Sequence, residues 1–264
     1  MIEEYLKFAE AIARESGEWI VSHRGKFTDL QCKRNHVDLV TEIDKDSESF
    51  LIELITRKYP NHWILSEEMS GLSRDFHIIE NKDEIGWIID PLDGTMNFVH
   101  DVPHFAVSIA IVKHGRPIVG VVYEPNHKEL YSAAIGMGAF LNGKKMTVSE
   151  TKEIKNSLLH TGYCAMDWIE GGDKNKEFPL FFGKCRYLKV SGSAALDLAY
   201  VAAGRLEGYW QSGLSPWDIA AGVLLVEEAG GKVTGINQPF LLESGEVIAS
   251  NGRIHEQIQA TLQN

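Results

Sequence analysis

The run Trp87-Ile88-Ile89 is followed at once by Asp90, Pro91 and Asp93, with Gly94-Thr95 behind. Residues of this kind dictate a buried strand, and the end of a buried strand gains nothing from carboxylates. Two acids placed there need a cationic partner or water. The context recurs along the chain. Glu67 and Glu68 follow Trp63-Ile64-Leu65-Ser66, and Asp218 follows Pro216, which favours the first turn of a helix. Strand ends and helix starts are where α/β sheets gather ligand groups. Acids that meet at one point repel one another and are tolerated only when protons or cations neutralise them. Oxygen ligands without His or Cys select Mg2+, Mn2+ or Ca2+ over Zn2+. Pro91 is expected to end the strand ladder and turn the chain, so that Asp90 and Asp93 point into one space. Gly94 lets a ligand approach the backbone, and Thr95 supplies a hydroxyl beside it.

The segments around these acids read as an α/β protein. Ile2, Tyr5, Phe8, Ala9, Ile12, Ala13, Trp19 and Ile20 recur at helical spacing, and Gly25 stops that helix. Residues 27–43 read as a hairpin turning at Arg34-Asn35-His36. A second helix follows, with Asp44 or Asp46 as its expected cap, and closes at Pro60. The runs HFAVSIAIV and RPIVGVVYEP flank KHGR as a hairpin, and LYSAA and AFLNGKKMTVS continue the sheet through an Asn142-Gly143 turn. After Ser149 the rhythm changes. SLLHTG and CRYLKV are strand-like, GSAALDLAYVAAG and PWDIAAGVLLVEEAGG are helix-like and stop at Gly, and GEVIASN then RIHEQIQATLQ give strand then helix. With no repeat and no low-complexity linker, the 264 residues are expected to form one compact unit. Its halves cover about 1–149 and 150–264.

A formal net charge of −11 disfavours nucleic acid or an anionic membrane as the main partner. It leaves an anionic small molecule open, because cations bound among carboxylates invert the local field. Cys32, Cys164 and Cys185 have no metal-ligand spacing and read as reduced thiols in the core. The charged N-terminus is no signal peptide, and no apolar run is long enough to span a bilayer, so a cytoplasmic location is expected. His100 and His104 flank Pro103, which breaks helical spacing, and read as loop histidines. GMGAFLNG lacks the Lys-Ser/Thr of a P-loop. Trp210 and Trp217 read as packing residues.

WIIDPLDGTMNFVHDVPHFAVSIAI resembles the first signature of the inositol monophosphatase family, and SPWDIAAGVLLVEEAGG resembles its second. KRNHVDLVTEID and ILSEE are similar to the family's hairpin and glutamate pair, in the same order. The resemblance implies a layered αβαβα sandwich of the sugar-phosphatase type, working as a homodimer. It implies Mg2+-dependent hydrolysis of a small phosphomonoester, with two to three ions per site, Mn2+ as a substitute and Li+ as an inhibitor. By resemblance the metal ligands are Glu67, Asp90, Asp93, Asp218 and the carbonyl of Leu92, while Glu68 acts through a neighbouring ligand or a water. Asp44 and Thr95, with Glu67, are the implied catalytic residues, and orient and deprotonate the attacking water. Asp93, Gly94, Thr95, Gly192, Ser193, Ala194, Gln211 and Asp218 are implied to contact substrate, and Lys33 to steer phosphate. Asp38 reads as structural. Gln211 departs from the family, which carries an acid there. An amide accepts on one side only and donates on the other, which widens the expected substrates from inositol phosphates to NADP 2'-phosphate or fructose 1,6-bisphosphate. A regulatory or binding role with residual phosphatase activity is the alternative of another class. The dehalogenase-type phosphatases are excluded by spacing, because their D-x-D-G-T is one residue shorter than the D-x-x-D-G-T found here.

Overall fold

Alternation along the strands sorts this chain into layers. The computed structural model describes residues 1–33, 36, 38–70, 76, 79, 84–168 and 177–263. The first half runs α1 (Ile2–Ser22), the hairpin β1 (Leu30–Cys32) and β2 (Leu39–Thr41), α2 (Glu42–Lys58), β3 (Trp63–Ser66), the single turn α3 (Glu67–Ser70), β4 (Gly86–Asp93) and α4 (Thr95–Val99). A meander follows: β5 (Ala106–Lys113), β6 (Arg116–Glu124), β7 (Glu129–Ala134), β8 (Gly138–Leu141) and β9 (Lys144–Met146). The second half runs β10 (Leu158–Thr161), α5 (Glu177–Leu180), β11 (Tyr187–Val190), α6 (Ala194–Ala202), β12 (Gly208–Gln211), α7 (Pro216–Glu228), β13 (Lys232–Thr234), β14 (Val247–Ser250) and α8 (His255–Leu262).

Strands β3 to β9 lie in sequence order in a seven-stranded sheet, parallel only between β3 and β4. Besides the two-stranded hairpin β1-β2, a second large sheet has five strands in the order β11-β10-β12-β14-β13. Successive side chains of a strand face opposite ways. Trp87, Ile89, Ile109, Ile111, Val121 and Tyr123 therefore share a core with Tyr5, Ile12 and Ile20 of α1 and Leu51 and Ile55 of α2. Their neighbours Ile88, Ala110, Val112 and Val122 face α6 and α7, whose far side meets Tyr209, Val247 and Ala249 of the second sheet. Beyond that sheet Leu159, Trp210 and Ile248 pack with Phe181 and Ile258. The order is helices, sheet, helices, sheet, helices, the expected αβαβα sandwich. Gly120 sets the distance of the central layer. A Cβ there would fall 2.6 Å from the carbonyl oxygen of Ala221 on α7.

Several local expectations need correction. Thr41, and neither Asp44 nor Asp46, caps α2. Its hydroxyl accepts from Ile43 N at 3.1 Å while Asp44 Oδ2 accepts from Thr41 N at 2.8 Å, a reciprocal box that places the acid at the third helical position. Strands β12, β13 and helix α5 were not anticipated. β13 is a three-residue edge strand that exists by pairing with β14. The hairpin pairs as expected, with Leu30 opposite Thr41, while Arg34 and Asn35 of its turn lie outside the described residues. Cys32 is exposed and Cys164 half-buried, so these two thiols are not core residues, while half-buried Cys185 packs against the core beyond the second sheet. Trp210 stacks on Phe181 at 4.1 Å and is a packing residue. Among the described residues, no helix is long and apolar enough to cross a membrane.

His255, at the start of α8, is fully buried with its ring between Ser250 Oγ and Thr234 Oγ1, each at 2.9 Å. Burial, helped by Lys232, lowers its pKa to about 4. The unfolded chain then binds more protons than the folded one below the ordinary histidine value, so this stabilisation is complete above about pH 6.5 and is lost as pH falls towards 4. Urea midpoints at pH 7 and pH 5 are expected to separate less in His255→Gln than in the parent. An unaltered separation would remove His255 from the account.

Candidate active site

Asp90 and Asp93 are brought to one side by a fault in the ladder. Residues three apart in a regular strand face opposite ways. Asp90 pairs with Ser108 and Asp93 with Ala106, so β4 spends one residue more than β5 between these pairs. Pro91, which has no N–H to donate, stands in this bulge; the strand is interrupted there and continues, contrary to the expectation that it ends. Ser47 Oγ reaches Pro91 O at 3.3 Å from α2, and Leu92 N donates to Asp90 Oδ1 at 3.0 Å. Gly94 then takes φ 96°, a left-handed conformation, with His104 O 3.0 Å from where a Cβ would sit.

Asp218 comes from the other half of the chain. It stands in the first turn of α7 behind Pro216, and its Oδ2 accepts from Ser215 N at 2.6 Å. Ser108 Oγ, opposite Asp90, donates to Trp217 O at 3.3 Å and ties this turn to β5. Asp90, Asp93 and Asp218 thus each bring a carboxylate oxygen within 4.8 Å of the others. Burial first, then Glu67, Asp93 and Asp218, hold Asp90 well above the usual carboxylate range; burial, Glu67 and Asp93 do the same to Asp218. Burial raises Asp93 to about 7 against two donors from the α6 turn, Ser193 Oγ and, at 2.8 Å, Ala195 N. Asp90 and Asp93 are buried, Asp218 is half-buried, and Glu67 raises all three, so the donor set is short of positive charge. Their oxygen-only composition fits a hard divalent cation.

Glu67 and Glu68 start α3, whose Glu68 and Met69 N–H groups donate to the buried carboxylate of Glu48 at 2.8 and 3.2 Å. Lys33 reaches over from the hairpin and bonds Glu67 Oε1 at 2.8 Å and Glu68 Oε1 at 2.5 Å. Burial alone would lower the Lys33 ammonium, but the two acids outweigh it and its pKa rises. Glu68, buried beside Glu67, is raised to about 7 although Lys33 pulls the other way.

Asp44 is fully buried. Oδ1 accepts from Thr95 Oγ1 at 2.8 Å, and Oδ2 accepts from Thr41 Oγ1 at 2.6 Å. Burial raises its pKa against these bonds. Thr95 Oγ1 also lies 3.1 Å from Leu92 O, whose side chain is in the core with α1 and α2. A cavity of about 450 Å³ opens over Asp93, Asp218, Glu67 and Thr95 and includes Gly94 and Lys33. Its far wall holds Gly192, Ser193, Ala194 and Gln211. Gln211 Oε1 accepts from Tyr209 Oη at 2.6 Å, which leaves the amide N–H2 as the free side, and a Cβ at Gly162 would fall 1.8 Å from that oxygen.

The structure thus gathers the sequence-predicted residues around one cavity, with Asp90, Leu92, Asp44 and Glu68 just behind its wall. Asp38 also borders it. Sequence reasoning missed Asp197, Tyr163 and Trp168 in the lining and Asn97 behind it, and read Trp217 as packing alone although it too lines the cavity. Asp197 had a signal: it is the lone charge in AALDLAYVA, a helix otherwise nearly all apolar.

The inositol monophosphatase family profile matches residues 1–264. An inositol-1-monophosphatase from Synechocystis is 41% identical over 263 residues, covering 99% of this chain and 89% of that protein. The Nus factor SuhB of Escherichia coli is 38% identical over 269 residues, covering 98% and 96%. Among solved structures, the inositol monophosphatase of Anabaena superposes with a TM-score of 0.86 at 40% identity, covering 99% of this chain and 96% of that one. The chain therefore belongs to the inositol monophosphatase family and is a phosphoric monoester hydrolase.

Proposed function

We propose that this chain is a Mg2+-dependent phosphomonoesterase that hydrolyses inositol monophosphate or a related small sugar or nucleotide phosphate by direct attack of water. The observation that carries the reading is the triad of buried Asp90 and Asp93 with half-buried Asp218, beside the Asp44–Thr95 pair. Asp90, Asp93, Asp218, Glu67 and the Leu92 carbonyl would hold the cations. Bound cations neutralise the phosphate and acidify the attacking water. The remaining work falls to the chain. Thr95 Oγ1 donates to Asp44 Oδ1, so its lone pairs are free to orient water. Asp44, kept basic by burial, draws the proton through that hydroxyl. Gly94 and Thr95 present backbone to the phosphate, the turn at Gly192 to Ala194 and the Gln211 amide contact the alcohol, and Lys33 balances Glu67 and Glu68 until a cation arrives. The two halves act as one catalytic unit, because Asp218 completes what β4 begins. Li+ inhibition, a homodimer and a cytoplasmic location belong to the same proposal.

Mg2+-dependent phosphate release from inositol 1-phosphate, fructose 1,6-bisphosphate and NADP tests it; no release from a folded sample overturns it. Thr95→Ala is expected to lower turnover by about 10²–10⁴-fold, the range for positioned proton transfer. Gln211→Glu is expected to raise the ratio of inositol 1-phosphate to NADP turnover about tenfold, through charged hydrogen bonds to ring hydroxyls of order 1.5–3 kcal/mol. A constant ratio would discard Gln211 as a selector. Because a relative bears the name Nus factor SuhB, a binding role is the second reading. The net charge of −11 argues against nucleic acid as the direct partner in that role.

A further inference from the structure

The turn that delivers Ser193 and Ala195 to Asp93 is itself held from two sides. On one side, Ser191 Oγ lies 2.7 Å from both oxygens of Asp197, and His160 Nδ1 lies 2.7 Å from Asp197 Oδ1. Asp197 and His160 are both buried, at 1% and 5% exposure. A carboxylate only accepts, so Asp197 joins a donor from β10 to a donor at the start of the turn. On the other side, Asn97 Nδ2 donates to Ser191 O at 3.0 Å and to His104 O at 2.8 Å. Between the two, Gly192 takes φ 83° and packs so closely that a Cβ would meet Asn97 Nδ2 at 3.2 Å. Ser191 is thus pinned by its hydroxyl and by its carbonyl. Two residues later Ser193 Oγ donates to Asp93 Oδ2, and Ala195 N donates to the same oxygen at 2.8 Å.

The packing of α6 does not call for an acid at position 197. Its neighbours in the helix are apolar and buried, and a lone charge there is costly unless it is fully bonded. We propose that Asp197 is a positioning residue: through Ser191 it fixes the 191–195 turn and, through that turn, the orientation in which Asp93 meets a cation. The inference rests on Asp93 being a cation ligand, as in the function proposed above. Partners that hold a ligand from behind set its direction, and their loss weakens metal binding about 10–100-fold.

Calorimetric titration of Mg2+ and Mn2+ into the full chain reads this without an activity assay. Asp197→Leu removes both acceptor oxygens at similar volume, so neither Ser191 nor His160 keeps its partner. Its cation affinity is expected to fall about 10–100-fold. Ser191→Ala, which cuts the link itself, is expected to weaken binding in the same direction, and Ser191→Thr, which keeps the hydroxyl, to restore it to within about twofold. If Asp197→Leu fails to fold by circular dichroism, the Ser191 pair decides. Parental affinity in folded Asp197→Leu or in Ser191→Ala overturns the positioning role and leaves the proposed function standing. A parent protein that binds neither ion overturns both.

Discussion

Asp93→Asn is expected to yield a folded protein whose phosphatase turnover is about a thousandfold lower. Loss of one cation ligand removes several kcal/mol of charge stabilisation, and about 1.4 kcal/mol corresponds to a factor of ten. Folding should survive, because an asparagine oxygen can still accept from Ser193 Oγ and Ala195 N, and its N–H2 can donate to Asp90 or Asp218. Stability should even reverse its order with conditions. Asp93 is raised from an ordinary value of 3.8 to about 7, with burial the largest cause. Between those values the folded chain binds more protons than the unfolded one, so the cation-free protein loses stability as pH rises across that window. The substitution removes that loss. In a chelator at pH 8, Asp93→Asn is expected to melt above the parent; in Mg2+ the parent gains by selective binding to its native state and overtakes it. Thermal melts with and without the ion check both halves. Parental turnover in the variant would dismiss Asp93 as a ligand.

Gly120→Val is expected to be strongly damaging although it lies outside the cavity. The added Cβ would sit 2.6 Å from Ala221 O and 3.1 Å from Ala221 Cα, both backbone atoms of α7 that cannot rotate aside. Overpacking of this kind costs about 3 kcal/mol at the upper end of its usual range, or roughly 6–12 °C in melting temperature for a chain of this size. Because Asp218 stands in the first turn of the displaced helix, activity should fall in the same variant even at temperatures where it remains folded. A melt within about 1 °C of the parent would mean that the layers give way more readily than a close-packed interior allows.

Much of this was readable before any coordinates. The apolar runs of β4, β5 and β6 announce themselves because each is long enough for its composition to dictate burial, and the Asn142-Gly143 turn does so because both residues take positive φ, at 50° and 75°. Asp90, Asp93 and Asp218 stood out for the opposite reason: they sit where neighbouring residues demand burial and carboxylates resist it. What escaped notice depends on partners. β13 is a strand because β14 lies beside it, and α2 begins at Glu42 because Thr41 and Asp44 satisfy each other, while Asp44 also holds Thr95. The two-sided grip on the 191–195 turn joins residues 97, 160, 191 and 197, a constellation that no local window contains. Gly120 belongs with these, because the helix backbone that requires it lies about a hundred residues further along the chain.

The split origin of the acidic triad has a bearing on how the polypeptide matures. During translation Asp90 and Asp93 emerge early, but Asp218 follows only when most of the chain has left the ribosome, and it counts only once α7 has docked between the sheets. On the proposed function, magnesium capture would then be among the last events of assembly. The ion would retard unfolding of finished molecules without hastening their formation, and nascent chains would remain indifferent to cellular magnesium until almost the end.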